Sequence, residues 1–96
     1  MRFQQLLTVD VYRLGHGRRY SALPVDQLDN DGFLIDCSAS GSLRPEHFDL
    51  RQGDIVRFPQ GERYIEAIIA SVSRDAQELR VVLANAQLLP PEFFPF

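Results

Sequence analysis

Lysine and tryptophan are absent from this 96-residue chain, and cysteine and methionine occur once each. A single cysteine, Cys37, excludes an intramolecular disulfide, so nothing in the chain requires an oxidising compartment. One cysteine and two separated histidines do not make a zinc site either. No apolar run reaches the roughly 18–20 residues of a membrane span, and the N-terminal segment does not resemble a signal peptide. These absences predict a reduced, cytoplasmic protein with no metal, no cofactor and no membrane association.

A basic excess is also missing, because the formal net charge is −3. General nucleic-acid binding is therefore not expected. All ten basic residues are arginine, whose planar fork suits phosphate and carboxylate, although a GC-rich genome is the simpler explanation for this usage. The apolar content of 45% is sufficient for one globular core, and the length allows one domain, residues 1–96.

The apolar residues follow the two-residue period of β-strands. Leu7, Val9 and Val11 alternate with polar residues, which predicts a strand over residues 6–14. Five further strands are predicted, over residues 19–25, 33–35, 55–58, 63–73 and 78–86. Pro24 favours an edge position, or a strand end, for the first of these five. Turn-forming stretches such as "DNDG" and "PQG" separate them, and "RPEHF" reads as a loop or one helical turn. We expect an all-β, six- or seven-stranded antiparallel barrel or sandwich.

One stretch carries polar residues in a pattern suited to a ligand. Asp36, Ser38 and Gly41 form D-x-S-x-x-G directly after a buried strand. The carboxylate accepts N–H groups, the hydroxyl donates and accepts, and the glycine permits close approach, which suits a polar, planar ring such as guanine. Arg18 and Arg19, upstream, could supply forked contacts to phosphates or to a purine's acceptor edge.

These residues resemble the PilZ family of small β-barrels, which bind the bacterial second messenger cyclic di-GMP. The resemblance rests on the paired arginines, "LPV" at 23–25, the D-x-S-x-x-G element and "QGDIVRF" from Gln52, and it covers about residues 18 to 85. It implies that Arg18 and Arg19 contact phosphates and guanine edges. It also implies that the guanine site is lined by Asp36, Ser38 and Gly41.

The chain departs from the family pattern at Ala22, where the family has its last arginine. A predicted strand also precedes the arginines, so they are expected in a hairpin rather than a mobile arm. By this resemblance the chain binds cyclic di-GMP weakly, or acts as a protein-interaction adaptor in bacterial signalling. A plainer reading stays open: Asp36 and Ser38 satisfy the N–H groups of their own turn, and Arg18 and Arg19 form a solvated strand edge.

A second resemblance points to a different class. The segment beginning "DLRQGDIVRFPQGERY" is similar, over about residues 50 to 84, to small head-completion or head–tail joining proteins of tailed bacteriophages. That likeness implies a ring-forming structural protein of the virion. The apolar tail, residues 86–96, would then dock on a neighbouring subunit through Phe93, Phe94 and Phe96. Alternatively the tail folds back over the open end of the barrel or forms a short helical turn.

Catalysis is not expected. His16 lies between glycines in a predicted turn, and His47 lies in a loop with no nucleophile nearby in sequence. Cys37 follows an apolar strand and reads as a buried, unreactive thiol. The chain therefore predicts a binding module without catalytic residues, whose partner is a protein, a second copy of itself, or cyclic di-GMP.

Overall fold

The computed structural model describes residues 7–38 and 44–90, which form seven strands and one short 3₁₀ turn. The elements are β1 (Leu7–Arg13), β2 (Gly17–Val25), β3 (Gln27–Asp29), β4 (Gly32–Asp36), the 3₁₀ turn (Pro45–His47), β5 (Ile55–Gln60), β6 (Arg63–Arg74) and β7 (Glu78–Leu88). In this part of the chain the predicted strands and turns are confirmed, and "RPEHF" contains the 3₁₀ turn.

All pairings in the sheet are antiparallel, in the order β2-β1-β5-β6-β7-β4-β3. The sheet curls into a half-barrel, and β2 approaches β4 across the open side. The Asp26 carboxylate, just after β2, accepts the backbone N–H of Asp36 on β4 at 2.6 Å. This confirms the all-β, barrel-like class, and β2 lies at one edge of the sheet, which is one of the two positions that Pro24 favoured.

Strand β3 was not predicted from the sequence. Its three residues, Gln27–Asp29, pair with β4 through a tight turn. The carboxylate of Asp29 accepts the N–H groups of Asp31 and Gly32 at 2.8 and 3.1 Å and so closes that turn. The strand is set by its hairpin partner, because three residues are too few to show an alternating pattern of their own.

The core lies on the concave face of the sheet. Successive strands place every second residue there, as the period of a pleated strand requires. The buried apolar side chains of this face include Val9, Val11, Phe33, Ile35, Val56, Phe58, Ile65, Ala67, Ile69, Leu79, Val81 and Leu83. Full burial of each Val, Leu, Ile or Phe side chain contributes roughly 1.5–3 kcal/mol, which makes this face the main source of stability.

Two β-bulges bend strand β2 and contribute to the curl of the sheet. Strand β2 has extra residues relative to β1 at two places, between the partners of Val9 and Val11 and again between those of Val11 and Tyr12. Ala22, in the first bulge, has the unusual φ of 54° and donates its N–H to the Asp10 carboxylate at 2.7 Å. Extra residues of this kind turn a strand and increase its twist, which closes a sheet toward a barrel.

Residues 44–54, here called the covering loop, pack against one end of the half-barrel. At this end β1, β4 and β6 finish while β2, β5 and β7 begin. Pro45 and Leu50 of the loop are fully buried. The Arg74 guanidinium of β6 donates to the carbonyl oxygens of three loop residues at 2.9–3.3 Å; these are Pro45, Phe48 and Leu50. The covering loop is therefore fixed to the sheet by backbone contacts as well as by packing.

Candidate binding site

Arg18 lies at the start of β2 and contacts the outer wall of the sheet. Its Nη2 donates to the Tyr12 hydroxyl at 2.9 Å, and its Nη1 lies 3.4 Å from the Ser21 hydroxyl. The guanidinium carbon is 5.2 Å from the centre of the Tyr12 ring. The Arg57 guanidinium lies 4.8 Å from the centre of the same ring. Arg18 therefore belongs to a cation–π cluster on the convex face.

Arg19 contacts a different part of the molecule. It is the extra residue of the second bulge in β2, because Tyr20 and Arg18 have partners on β1 while Arg19 has none. Its Nη2 donates to Oδ2 of Asp49 in the covering loop at 2.8 Å. Neighbouring arginines in the sequence thus diverge, one toward the outer wall and the other toward the loop.

Asp36 and Ser38 lie at the end of β4 and bind each other. The backbone N–H of Ser38 donates to Oδ1 of Asp36 at 2.9 Å. The Ser38 hydroxyl, and after it this backbone group, lower the pKa of Asp36 below its ordinary value. Such a carboxylate–hydroxyl turn is the arrangement of the plainer reading. Gly41, the last member of the motif, lies outside the described residues.

Cys37, between these two residues, points into the core. It is 7% exposed, and its N–H donates to the Gln77 carbonyl at 2.7 Å. Burial raises the pKa of the thiol, and the nearby Asp36, Asp26 and Glu46 carboxylates raise it further. The predicted buried thiol is confirmed.

Both halves of the predicted site lie at the end of the half-barrel that carries the covering loop. Asp36 is paired with Glu78 at the start of β7, and Arg19 reaches the loop from the start of β2. Among the contacts of the described residues, however, none joins Arg18 or Arg19 to Asp36 or Ser38. The structure places these residues at one end without bringing them into contact.

Two shallow cavities are among those on the surface of the described part of the chain. One, of ≈ 190 Å³, lies over β3, β4 and β7, between Leu28, Leu34 and Val82. The other, of ≈ 230 Å³, lies at the β6–β7 turn, beside Arg74 and Glu78. Neither is lined by Arg18, Arg19, Asp36 or Ser38, and both are smaller than the roughly 300–1,000 Å³ of ordinary small-molecule pockets.

A charged cluster that sequence reasoning missed lies under the covering loop. Arg13, at the end of β1, donates to Asp54 through Nε at 2.9 Å and Nη2 at 3.0 Å, and to Asp49 through Nη1 at 3.1 Å. Asp49 also accepts from Arg51 Nε at 2.9 Å and from Arg19. The sequence predicts "RQGD" as a turn only, although Asp49 and Asp54 flank Arg51 there and so form a pattern of opposite charges.

The electrostatics of this cluster are strong. The guanidinium of Arg13, then those of Arg51 and Arg19, hold the pKa of Asp49 far below its ordinary value. Asp54, and after it Asp49, raise the pKa of Arg13. Asp54 is 2% exposed, so its charge depends on Arg13 and on the N–H of Arg51, which donates to Oδ2 at 3.0 Å. Arg13 and Asp49 therefore stay ionised at neutral pH.

The convex face carries a row of apolar side chains, here called the apolar strip. It consists of Ile55, Ile68, Ala84 and Val82 on adjacent strands. Ile55 and Ala84 each stand directly opposite Ile68. Ile68 is 40% exposed and Val82 45%. Contiguous apolar side chains on an exposed face are typical of interaction surfaces, whereas apolar residues scattered singly over a surface are not.

Strand β7 ends at the opposite end of the half-barrel, and it includes residues 86–88, which were predicted to belong to the tail. Leu89 is buried, its N–H donates to Tyr64, and its carbonyl accepts two bonds from the Arg63 guanidinium at 2.8 and 3.0 Å. The predicted partner-binding residues Phe93, Phe94 and Phe96, and the helical turn considered for the tail, lie outside the described residues.

In the described ranges no helix has the length and apolar character needed to span a bilayer. Comparisons with protein-family models, with curated proteins and with solved structures find no match to this chain.

Proposed function

We propose that this chain is a non-enzymatic binding module of the PilZ-like type that acts as a protein-interaction adaptor. The observation that supports it is the divergence of the paired arginines: Arg18 binds Tyr12 on the outer wall, and Arg19 binds Asp49 in the covering loop. A dinucleotide needs convergent donors for its phosphates and rings. With the bulge at Arg19 and with Ala22 in place of the family's last arginine, those donors are not convergent here.

The apolar strip is the surface we assign to the protein partner. Its exposed side chains, Ile68 and Val82, stand on the two longest strands, β6 and β7. Strands packed on one face by the core form a rigid platform, which lowers the entropy lost on binding. A partner that buries Ile68 and Val82 gains roughly 1.5–3 kcal/mol for each side chain it covers fully.

Photo-crosslinking tests this assignment. A photo-reactive amino acid placed at Val82 is expected to capture one dominant protein in an extract of the source cells. The same group at Glu62, exposed in the β5–β6 turn, serves as the control. Excess unlabelled protein should abolish the product, whereas excess of a Val82→Glu variant should not. Equal labelling from both positions, or labelling that survives competition, would contradict an adaptor acting through this face.

Weak binding of cyclic di-GMP is the second candidate. It is favoured by the location of Arg19, Asp36 and Ser38 at the same end of the half-barrel. Calorimetric titration distinguishes it from the adaptor, because a sensor gives micromolar binding that is lost in Arg19→Gln and in Asp36→Asn. Ala22→Arg, which restores the family pattern, should then tighten binding. Arg63→Gln, at the opposite end, is the matched control.

Assembly as a ring, as in phage head–tail joining proteins, is the third candidate. The exposed Leu88 at the end of β7 favours it, since an exposed apolar side chain there adds to the surface available for a contact between subunits. Light scattering, recorded during the cyclic di-GMP titration, measures the oligomeric state and so tests for a ring. A ring-sized mass that falls to a monomer when Phe93, Phe94 and Phe96 are replaced by serine supports the ring, and a monomeric wild type excludes it.

A further inference from the structure

The solvent-facing side of Asp49 is where two exposed arginines meet. Arg19 reaches it from the β2 bulge, and Arg51 reaches it from within the covering loop. The side chains of Arg19 and Arg51 are 37% and 67% exposed. Asp49 itself is 36% exposed, so the meeting point is open to solutes.

The task of fixing the covering loop does not require these two arginines. Arg13, 13% exposed, already bridges Asp49 and the buried Asp54. Its Nη2 also donates to the Asp49 carbonyl at 3.1 Å, and the Asp49 N–H donates to the Tyr20 hydroxyl at 2.8 Å. The loop is thus held at Asp49 by backbone and side-chain bonds from β1 and β2, independently of Arg51.

Arg19 and Arg51 retain unused donor capacity. Within the described residues, each side chain donates to Asp49 through one nitrogen, Nη2 in Arg19 and Nε in Arg51. A guanidinium carries five N–H donors in a planar fork, so most of each fork has no protein acceptor in that part of the chain.

The charges at this position do not balance. Three guanidinium groups, those of Arg13, Arg19 and Arg51, face two carboxylates, those of Asp49 and Asp54, which leaves one positive charge in excess. Because the excess lies on the exposed arginines, an incoming anion meets it at the surface.

We propose that Arg19 and Arg51 form a binding site for a phosphate-type oxyanion, with Asp49 as the internal carboxylate that limits its affinity. A phosphate group offers several acceptor oxygens to two forks, which is the geometry that arginine binds best. The site uses neither Asp36 nor Ser38, and it does not depend on the apolar strip, so it stands apart from the adaptor function. The phosphate could belong to a free inorganic anion or to a nucleotide.

Nuclear magnetic resonance titration at low ionic strength tests the site with two probes, inorganic pyrophosphate and cyclic di-GMP. The Nε–H resonances of Arg19 and Arg51 are expected to shift with saturation, and the Arg63 resonance should stay in place. Removing the like charge of Asp49 in Asp49→Asn should tighten pyrophosphate binding about fivefold or more. Arg51→Gln should weaken it about fivefold or more, and Arg63→Gln should leave it unchanged. Response to both probes indicates recognition of the phosphate alone. Response to cyclic di-GMP only indicates a nucleotide source when Asp36→Asn leaves it unchanged; its loss in Asp36→Asn would assign the binding to the cyclic di-GMP site of the second candidate and overturn a separate site.

The inference is overturned if neither probe shifts these resonances, or if Arg63→Gln weakens binding as much as Arg51→Gln, since the effect would then be general electrostatic attraction. It is also overturned if a folded Asp49→Asn protein binds no tighter than wild type. Should Asp49→Asn fail to fold, Arg51→Gln alone decides, because that side chain is two-thirds exposed and outside the contacts that fix the loop.

Discussion

Arg13 Nε donates to Oδ1 of Asp54 at 2.9 Å, across 41 positions of sequence. This bond ties the end of β1 to the start of β5 beneath the covering loop, where Asp54 is almost completely buried. The backbone of Asp54 is fixed as well, because its carbonyl accepts the N–H of Ile69 at 2.8 Å. One aspartate therefore joins the loop, β1 and β6 at the end of the half-barrel that carries the predicted site.

Replacing Asp54 by alanine is expected to destabilise the fold by about 3 kcal/mol, because it leaves Arg13 and the N–H of Arg51 without their buried acceptor. Asp31→Ala, at an exposed turn position, should change the free energy of unfolding by no more than about 0.5 kcal/mol. Urea unfolding of the two variants measures the difference. Equal stabilities would show that the Arg13–Asp54 pair does not support the loop.

Most of the fold could be predicted from local pattern. The alternation of Leu7, Val9 and Val11 predicted β1, and the apolar run from Arg63 predicted β6, because a sheet buried on one face imposes a two-residue period. The three residues of β3 were missed because their conformation follows from pairing with Leu34 and Phe33. Local sequence does not encode that pairing.

The candidate site was less predictable, for a physical reason. Because Arg18 and Arg19 are adjacent in sequence, they are expected to act together. A β-bulge at Arg19 instead directs its side chain to Asp49. A single unpaired residue in a strand has no sequence signature, so this bulge was not predictable. Residues far apart in the chain form the Arg13–Asp54 pair, so no spacing rule could reveal it. Asp36 and Ser38 were placed correctly at a strand end because their turn is local.

Acid is expected to destabilise the protein below about pH 4. The pKa values of Asp49, Asp36 and Asp75 lie below their ordinary 3.8 in the folded state, owing to arginines at Asp49, to Ser38 at Asp36, and to backbone N–H groups at Asp75. The unfolded chain therefore binds protons at a higher pH than the folded one. Stability contributed by these carboxylates is complete above the unfolded pKa and is lost as the pH falls toward the folded values.

Urea unfolding at a series of pH values measures this effect. The free energy of unfolding should be level between pH 5 and 7 with respect to these groups and should decline below about pH 4. Asp49→Asn should show a shallower decline, since it removes the carboxylate that three arginines hold ionised. A decline as steep as that of the wild type would contradict the assignment of the effect to Asp49.

Ala22→Gly is expected to stabilise the protein, by up to about 1 kcal/mol. Ala22 has φ of 54°, a left-handed conformation that costs a residue with a Cβ roughly 1–2 kcal/mol, part of which the greater freedom of unfolded glycine offsets. Ala84→Gly in β7 is the matched control, because its φ is not positive and glycine there should destabilise by about 0.5–1 kcal/mol. Opposite signs in denaturant unfolding are the expected result. Destabilisation by both variants would refute strain at Ala22.

Cys37 should react very slowly with thiol reagents while the protein is folded. Its side chain is buried and its pKa is raised, so little of it is exposed and little is thiolate at neutral pH. Alkylation by iodoacetamide at pH 7.5, followed by mass spectrometry, should be about a hundredfold slower in buffer than in concentrated urea, where the same thiol is fully exposed. Because Cys37 is the single cysteine, the unfolded chain is its own reference. A native rate equal to the unfolded rate would mean that the end of β4 opens readily, and the Asp36–Ser38 turn would then be free to rearrange around a ligand.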